Sequence, residues 1–205
     1  MNNDLVLDDV MLAHCDDVVA RYRLLHDDPA GCRPMIIINT PVQLPTWEAR
    51  LADPLVMLRA ELDLLRPHLE IRDDRVPTVR VQFGTAQVAA AFGCQMIVPE
   101  NNLPAAGSHV LTEAAGVHGL KMPGLDAGWY GKLADWTHLW QKHLPPGVHL
   151  QLPDIQSAFN SAHLIRGNDI LTDFYDAPGD VDVLLDTVTD YMLAITKHFD
   201  GFYVI

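Results

Sequence analysis

Cysteine is scarce in this sequence. The 205 residues include three cysteines, which are widely spaced and form no C-x-x-C pair: Cys15, Cys32 and Cys94. A disulfide framework needs a dense, even set of cysteines, and a structural zinc site needs closely spaced ones. The sequence therefore argues against both, and free cysteines indicate a reducing compartment such as the cytoplasm.

Positive charge is also scarce. The 14 Lys and Arg residues stand against 27 Asp and Glu residues, which gives a formal net charge of −13. Polyanionic surfaces repel such a chain, so we expect neither nucleic acid nor a membrane surface as a partner. No basic leader precedes an apolar run near residue 1, and glycines and glutamines interrupt the longest uncharged stretch, residues 81–99. We therefore expect a soluble cytoplasmic protein without signal peptide or membrane span.

Hydrophobic residues make up 49% of the chain, enough to bury a sizeable core. Apolar residues at helical spacing predict helices over residues 5–25, over residues 55–69 and over residues 133–144. Asp53 and Pro54 have the character of an N-cap and a first helical residue for the second of these. A helix-like run ends at Gly167, and Asp176 with Pro178 predicts the start of a long helix that reaches Phe199. Residues 99–128 are punctuated by glycine and proline and are predicted to form a long loop.

Short apolar runs between the helices predict buried strands. They are residues 34–39 (PMIIIN), 77–83 (PTVRVQF), 148–152 (VHLQL) and 201–205 (GFYVI), with a further short strand at 94–98 (CQMIV). Strands that alternate with helices across long connections predict a parallel sheet in an α/β fold. No glycine-rich fingerprint follows the first strand, which weighs against nucleotide binding.

An ordered set of short motifs resembles the uroporphyrinogen decarboxylase superfamily, which includes the corrinoid-dependent methyltransferases. The motifs lie at residues 74–84 (DRVPTVRVQFG), 90–93 (AAFG), 152–156 (LPDIQ), 164–167 (LIRG) and 171–178 (LTDFYDAP). The resemblance implies a (β/α)8 TIM barrel whose active site lies at the carboxyl ends of the strands. Four strand candidates are half of such a barrel. We therefore predict an N-terminal helical segment at residues 1–33, followed at 34–205 by the N-terminal half of a uroporphyrinogen decarboxylase-like barrel.

The resemblance also implies where the chemistry of the two branches differs. The decarboxylases carry an arginine-rich segment after the first strand, where this chain has Arg50 alone. They carry an aspartate after the second strand that meets the pyrrole nitrogens, and here Thr85 stands in its place. The tyrosine that they place four residues before a glycine is matched by His163 before Gly167. A hydroxyl cannot hold negative charge against several N–H donors, so these departures favour the methyltransferase branch.

Cofactor expectations follow from the same resemblance. The methyltransferase branch uses a zinc ion to turn a substrate thiol into a thiolate, and the corrinoid (cobalamin) is a substrate. The zinc ligands belong to a part of the family pattern outside residues 1–205, and the histidines present lack the spacing of a recognised site. We therefore expect this chain alone to bind no metal and no cofactor.

Seven residues are the candidates for the site. We predict that His163 and Asp154 are catalytic and that the substrate is bound by Arg50, Gln82, Phe83, Thr85 and Gln156.

Several of these residues have structural alternatives that the sequence leaves open. Phe83 suits a core position, Asp154 suits an N-cap, and His163 suits a partly buried helical histidine. Arg50 suits a surface ion pair with Glu48 or Asp53. Trp129, Trp136 and Trp140 are expected to pack along their helix.

Three functions remain open at this point. The first is methyl transfer involving a corrinoid, the second is tetrapyrrole decarboxylation, and the third is a non-catalytic subunit that binds a partner. Four parallel strands cannot close a barrel, because closure couples strand number, tilt and stagger. We therefore expect a homodimer or a complementing C-terminal half chain to cover the open edges.

Overall fold

The computed structural model describes residues 5–202. Within them it has eight α-helices, four two-residue strands and two 3-10 helices: α1 (Asp9–Asp27), α2 (Trp47–Ala52), α3 (Pro54–Ile71), β1 (Thr78–Val79), α4 (Gln87–Ala91), β2 (Met96–Ile97), β3 (Ala105–Ala106), a 3-10 helix (Ala114–Gly119), α5 (Tyr130–Gln141), β4 (His149–Leu150), α6 (Ala158–Arg166), α7 (Ile170–Asp176), α8 (Pro178–Phe199) and a 3-10 helix (Asp200–Phe202). These elements form two compact units. Unit 1 comprises residues 5–81 and 138–151, and unit 2 comprises residues 82–137 and 152–202.

Helix α3 of unit 1 begins where the sequence predicts. The Asp53 carboxylate accepts hydrogen bonds from the amides of Leu55 at 2.8 Å and Val56 at 3.4 Å, and Pro54 occupies the first helical position. These contacts satisfy amide groups that the first turn of a helix leaves unpaired. The predicted cap is therefore confirmed. The bounds of helix α1 are also close to the predicted ones. Helix α2 was not predicted, because prolines flank it in the sequence.

Strands β1 and β4 pair in parallel in unit 1. Thr78 is opposite His149, and Val79 is opposite Leu150. Parallel pairing between these two runs is confirmed, although the hydrogen-bonded ladder is shorter than predicted. Burial of Val79, Val81 and Phe83 at alternate positions shows that the chain beyond β1 keeps the side-chain alternation of a strand.

The predicted buried strand at residues 34–39 is wrong. The structure has no strand there, and the side chains of Ile36 and Ile38 are 64% and 51% exposed. Their backbone amides donate hydrogen bonds to the carboxylates of Asp74 and Asp73, each at 2.7 Å. Side-chain carboxylates therefore take the donors that a neighbouring strand would have used.

Unit 2 is built mainly from α4, α6, α7 and α8. Helix α8 begins at Pro178 as predicted, but its N-cap is Ala177 rather than Asp176, which ends α7. The backbone of Ala177 (φ −145°, ψ 55°) separates the two helices. The side of α8 that packs in the core consists of Val181, Leu184, Val188, Tyr191, Ile195 and Phe199. Leu185 and Met192 of the same helix are half-buried.

The predicted strand at 94–98 is confirmed as β2, but its partner comes from the predicted loop. Met96 pairs with Ala106 and Ile97 with Ala105 in an antiparallel hairpin. The rest of residues 99–128 is irregular apart from the 3-10 helix Ala114–Gly119.

The described strands form one parallel pair and one antiparallel pair, so residues 5–202 contain no closed barrel. The fold is a mostly helical α/β arrangement. Of the predicted last strand, Gly201 and Phe202 lie in a 3-10 helix, and residues 203–205 lie outside the described residues. Residues on both sides of the predicted boundary at 33/34 belong to unit 1, and that boundary stays a prediction. None of the helices in residues 5–202 has the length and apolar character needed to cross a bilayer.

Candidate functional site

Two predicted substrate-binding residues meet in unit 2. The Gln156 Nε2 atom donates a hydrogen bond of 2.8 Å to Thr85 Oγ1. Thr85 follows β1 along the chain and Gln156 follows β4, so the pair joins the segments that leave two parallel strands. Both side chains are half-buried, which leaves part of each available to a bound molecule. We call these two residues the Thr85–Gln156 pair.

The turn before Thr85 depends on Gly84. Its φ of +75° lies in the left-handed region, and a Cβ atom there would overlap the carbonyl oxygen of Pro104. Only glycine accepts both conditions without strain. Beyond the turn, the buried Gln87 amide donates a hydrogen bond to the Phe83 carbonyl. The backbone on both sides of Thr85 is therefore fixed by specific contacts.

Phe83 lies in the core of unit 2 rather than at a surface. Its side chain is 2% exposed, and the rings of Trp129 and Trp136 contact it edge-on with centroid distances of 5.4 Å and 4.9 Å. Edge-to-face packing of this kind is favourable for aromatic rings. Phe83 therefore occupies the core position that was left open as its structural alternative and supports the two tryptophans, and a substrate contact through Phe83 stays a prediction. Gln82 is half-buried and precedes it.

Lys132, which is not among the residues predicted for the site, packs on the same rings. Its Nζ atom lies 4.6 Å from the centroid of Trp136, 5.1 Å from that of Phe83 and 5.5 Å from that of Trp129. Burial against the rings lowers the pKa of this ammonium below its usual value. The signal was present in the sequence, because Trp129, Lys132 and Trp136 have the i, i+3, i+7 spacing of one helical face.

Asp154 is exposed, and it does not cap the helix that follows. Helix α6 begins at Ala158, and its N-cap is Ser157, whose hydroxyl accepts a hydrogen bond of 3.2 Å from the Asn160 amide. The structural alternative for Asp154 is therefore wrong. A catalytic role for this carboxylate stays a prediction.

His163 lies in α6 one turn before Gly167, as expected. Its Nε2 atom is 2.8 Å from Asn168 Oδ1, and its ring stacks on Phe159 at a centroid distance of 6.2 Å. Both contacts are with residues nearby in the sequence, and the ring makes them without a ligand. The structure therefore gives His163 a position at the end of a helix, and its catalytic role stays a prediction.

Arg50 belongs to unit 1, where it is 7% exposed. Its guanidinium stacks on the Trp47 ring at 3.6 Å, and burial lowers its pKa although the charge of Glu61 opposes this shift. The expectation of a surface ion pair is therefore wrong, because the side chain is buried beside an aromatic ring. Substrate binding by Arg50 stays a prediction.

Trp140 also belongs to unit 1, where its indole N–H donates a hydrogen bond of 2.9 Å to the Pro54 carbonyl. The carbonyl is that of the first residue of α3. This tryptophan therefore has a structural role, as predicted.

A buried ion pair in unit 2 was also missed. Arg166 Nε donates to Asp173 Oδ2 at 2.7 Å, and its Nη1 atom reaches the Thr112 carbonyl at 3.2 Å and Asp169 Oδ2 at 3.3 Å. Arg166, Asp173 and Asp180 line part of a cavity with a volume of about 10 Å³. This is smaller than the pockets of roughly 300 Å³ or more that hold small molecules. The cluster therefore links elements of unit 2 rather than binding substrate.

Among residues 5–202, no three histidine, cysteine or acidic side chains come together as a metal ion requires. The three cysteines are free, and burial raises the pKa of the Cys94 thiol to about 11 and also raises the pKa of Cys15. A thiol with a raised pKa is a poor metal ligand and a poor nucleophile. The donor groups in this part of the chain therefore do not fit a zinc ion.

Comparisons with known proteins give a likeness of fold. No known protein family matches the sequence, and no curated protein resembles it significantly. The structure resembles a methyltransferase from Methanosarcina mazei with a TM-score of 0.70 and 13% sequence identity over 90% of this chain. The match covers 56% of that methyltransferase, so the chain spans little more than half the length of the protein it resembles. At this identity, the likeness establishes a methyltransferase-like fold.

Proposed function

We propose that this chain is the N-terminal half-barrel of an enzyme of methyl transfer, related to the corrinoid-dependent methyltransferases of the uroporphyrinogen decarboxylase superfamily. The observation that carries the proposal is the likeness of fold to a methyltransferase over 90% of the chain. The parallel pairing of β1 and β4 also supports it, because barrel strands are parallel and joined by helical crossovers.

The Thr85–Gln156 pair is the proposed substrate contact. Because Gln156 donates to the threonine oxygen, the Thr85 hydroxyl keeps its own proton for another acceptor. The glutamine carbonyl oxygen and the second amide hydrogen of Gln156 complete a set of uncharged donors and acceptors. Such a pair suits a polar, uncharged group of a substrate, which it would orient toward the methyl donor.

The same pair is a poor match for tetrapyrrole decarboxylation. A carboxylate accepts several pyrrole N–H donors at once, whereas a threonine hydroxyl that already accepts from Gln156 has little capacity left. Decarboxylation is therefore not the proposed reaction, and assay with uroporphyrinogen III would detect it.

The corrinoid would be a substrate in this reaction, and a zinc ion would supply thiolate activation. Since the donor groups in residues 5–202 do not fit zinc, we assign no residue of this part of the chain to the metal. What these residues do in the proposed reaction is to bind and orient the molecule at the loops that follow β1 and β4.

The test is methyl transfer from methylcobalamin to a thiol, measured as the methyl thioether by mass spectrometry with protein expressed from its complete reading frame. We expect thioether formation that falls roughly 10-fold or more in Thr85→Val and in Gln156→Leu, the loss typical of a substrate hydrogen bond. Thr172→Val is the matched control, because it removes a threonine hydroxyl that bonds only to the Asp169 carbonyl within the described residues. This control should retain full activity.

Two results would contradict the proposal. One is the absence of thioether in the complete protein, and the other is an equal loss of activity in Thr172→Val and Thr85→Val. If the same protein converted uroporphyrinogen III to coproporphyrinogen, its function would be decarboxylation rather than methyl transfer.

A further inference from the structure

Helix α7 exposes large hydrophobic side chains to solvent. Leu171, Phe174 and Tyr175 lie at positions i, i+3 and i+4 of this helix, so they share one face, and they are 55%, 42% and 88% exposed. The buried residues of the helix are Ile170 and Asp173, the second of them in its ion pair. A surface helix normally buries its apolar residues and exposes its charged ones. Helix α7 departs from this pattern, because it buries an acid and exposes three large hydrophobic residues.

An aromatic ring of α6 extends this hydrophobic surface. Phe159 is 37% exposed, and the centroid of its ring lies 6.1 Å from that of Phe174. The contact between the two rings makes the exposed residues of both helices one continuous surface. We call these four residues the α6–α7 patch: Phe159, Leu171, Phe174 and Tyr175. Continuous exposed hydrophobic surfaces on soluble proteins mark sites of interaction.

The size of the α6–α7 patch limits what can cover it. Aromatic side chains have surfaces of about 150–250 Å² each, so the exposed part of the patch is on the order of 400 Å². A stable interface between two folded proteins buries about 800 Å² on each partner. The patch supplies about half of this area. It therefore suits a short segment, such as one amphipathic helix, better than a second folded copy of this chain.

The charge around the patch selects the kind of segment. Unit 2 has 13 acidic residues against four lysines and arginines. Asp169 precedes the first residue of α7 and Asp176 is its last, and both are exposed. A second copy of this chain, with its net charge of −13, would be repelled by these acids. Lysines and arginines on a partner would instead be attracted to them.

We propose that the α6–α7 patch binds a short basic amphipathic segment of another protein. The apolar side of the segment covers the four hydrophobic residues, with Tyr175 as the aromatic anchor at the centre of the contact. The basic side of the segment lies against Asp169 and Asp176. The inference goes beyond the proposed function, because the patch includes neither residue of the Thr85–Gln156 pair.

The first experiment measures binding of a synthetic peptide to the full chain by fluorescence anisotropy. The probe is a labelled peptide of about 18 leucine and lysine residues, ordered so that the leucines share one side of a helix. One reference peptide has glutamate in place of lysine, and the other has the same composition in an order without an apolar side. We expect saturable binding of one probe per chain, with an affinity roughly 10-fold or more above that of either reference.

The second experiment locates the binding surface with Leu171→Ser and Tyr175→Ser combined in one double variant. Both residues are more than half exposed, so their replacement should leave the fold intact. The double variant should bind the probe roughly 10-fold or more weakly, because it loses two large apolar contacts. Leu193→Ser is the matched control, because Leu193 of α8 is 65% exposed and lies three residues after the exposed Asp190 in the same unit. This control should bind as the parent does.

A third variant, Asp176→Asn, tests the charge argument. It should weaken binding of the probe less than the double variant does, and it should reduce the sensitivity of binding to salt, because one attractive charge at the end of α7 is lost.

Four results would overturn the inference. They are the absence of saturable binding, equal affinity for the lysine and glutamate peptides, equal affinity of the double variant and the parent for the probe, and a dimer of the parent chain that the double variant loses. Analytical ultracentrifugation of both proteins detects the dimer, which would assign the α6–α7 patch to a second copy. None of these measurements needs a methyl donor, so their outcome is independent of the proposed function.

Discussion

The buried carboxylates Asp73 and Asp74 of unit 1 and the buried ion pair of Arg166 and Asp173 in unit 2 have different partners. In unit 1, Asp73 and Asp74 are buried carboxylates whose acceptor sites are filled by backbone amides and by Arg21 and His68. In unit 2, Arg166 is a buried cation surrounded by acceptors.

The consequences for folding differ. The carboxylates of unit 1 hold an irregular segment that neither a helix nor a sheet supports. Arg166 instead joins α6 to α7 through Asp173 and to the segment before the 3-10 helix Ala114–Gly119 through the Thr112 carbonyl. Loss of the Arg166 cation should therefore lower the stability of all of unit 2. Loss of the Asp73 or Asp74 carboxylate should affect one segment of unit 1.

The largest expected effect comes from Arg166→Met. The substitution keeps an elongated side chain but leaves Asp173 buried without its partner, which costs about 3–5 kcal/mol of the free energy of unfolding. Urea denaturation followed by circular dichroism measures it. The control is Asp169→Asn, which removes a carboxylate that is 72% exposed and contacts the same arginine. It should cost less than about 1 kcal/mol.

Equal losses of unfolding free energy in Arg166→Met and Asp169→Asn would contradict the role assigned to the buried ion pair. In that case the exposed ion pair with Asp169 would hold Arg166 as firmly as the buried one with Asp173.

A smaller effect is expected from Asp74→Asn in unit 1. The amide can still accept the Ile36 hydrogen bond, but Arg21, which approaches Asp74 Oδ1 at 2.6 Å, loses its buried counter-charge. We expect a loss of about 1–3 kcal/mol, since Arg21 keeps its ion pair with Asp17. Arg33→Gln is the control, because Arg33 is exposed and lies 3.7 Å from Asp74. If Asp74→Asn lost as much free energy of unfolding as Arg166→Met, the two regions would not differ in this respect.

The sequence predicts those features that depend on neighbouring residues. Asp53 and Pro54 are adjacent to the helix that they start, so the beginning of α3 could be inferred from local rules. One contact between distant residues could also be anticipated, because Thr85 and Gln156 both follow runs predicted as parallel strands. The regular burial of α8 follows from its 3.6-residue period.

The other features that depend on distant partners could not be predicted. Three consecutive isoleucines at 36–38 look like a buried strand, but the carboxylates that bind their amides lie 38 and 35 positions away. Arg166 and its acceptor at Thr112 are separated by 54 positions. The contact of Arg50 with Trp47 is local, but it depends on α2, a helix that the sequence did not predict.

The response to acid distinguishes the two regions further. The hydrogen bond and charge of Arg21 lower the pKa of Asp74 below its ordinary value of 3.8, against the effect of burial. Burial would raise the pKa of Asp73, but hydrogen bonds from Ile38, His68 and Arg75 more than offset it, so this pKa is also lowered. A lowered pKa in the folded state stabilises the fold above the ordinary value and loses that contribution as the pH falls through the folded pKa.

Unfolding free energies measured between pH 6 and pH 3 should therefore decline, and the decline should be shallower in Asp74→Asn than in the parent protein. Arg166→Met should leave the part of the decline that Asp73 and Asp74 contribute unchanged. A parent slope retained in full by Asp74→Asn would show that this carboxylate contributes nothing to the acid response.

The smallest effect is expected in the backbone of residues 36–38. Their side chains are exposed and no helix or strand contains them, so exposure alone predicts rapid hydrogen exchange at all three amides. The amides of Ile36 and Ile38, however, donate to carboxylates that are themselves buried. Within residues 5–202 no hydrogen bond from the Ile37 amide is seen. We expect exchange at Ile36 and Ile38 to be at least about 10-fold slower than at Ile37, since each tenfold of protection needs only about 1.4 kcal/mol.

Amide exchange followed by NMR in the parent protein and in Asp73→Ala tests this difference in exchange rate. Protection at Ile38 should disappear in the variant while that at Ile36 declines less, because Asp74 still binds Ile36. Uniform exchange across the three residues in the parent would mean that the buried carboxylates do not hold this segment, and the two units would then not differ in what their buried charges hold in place.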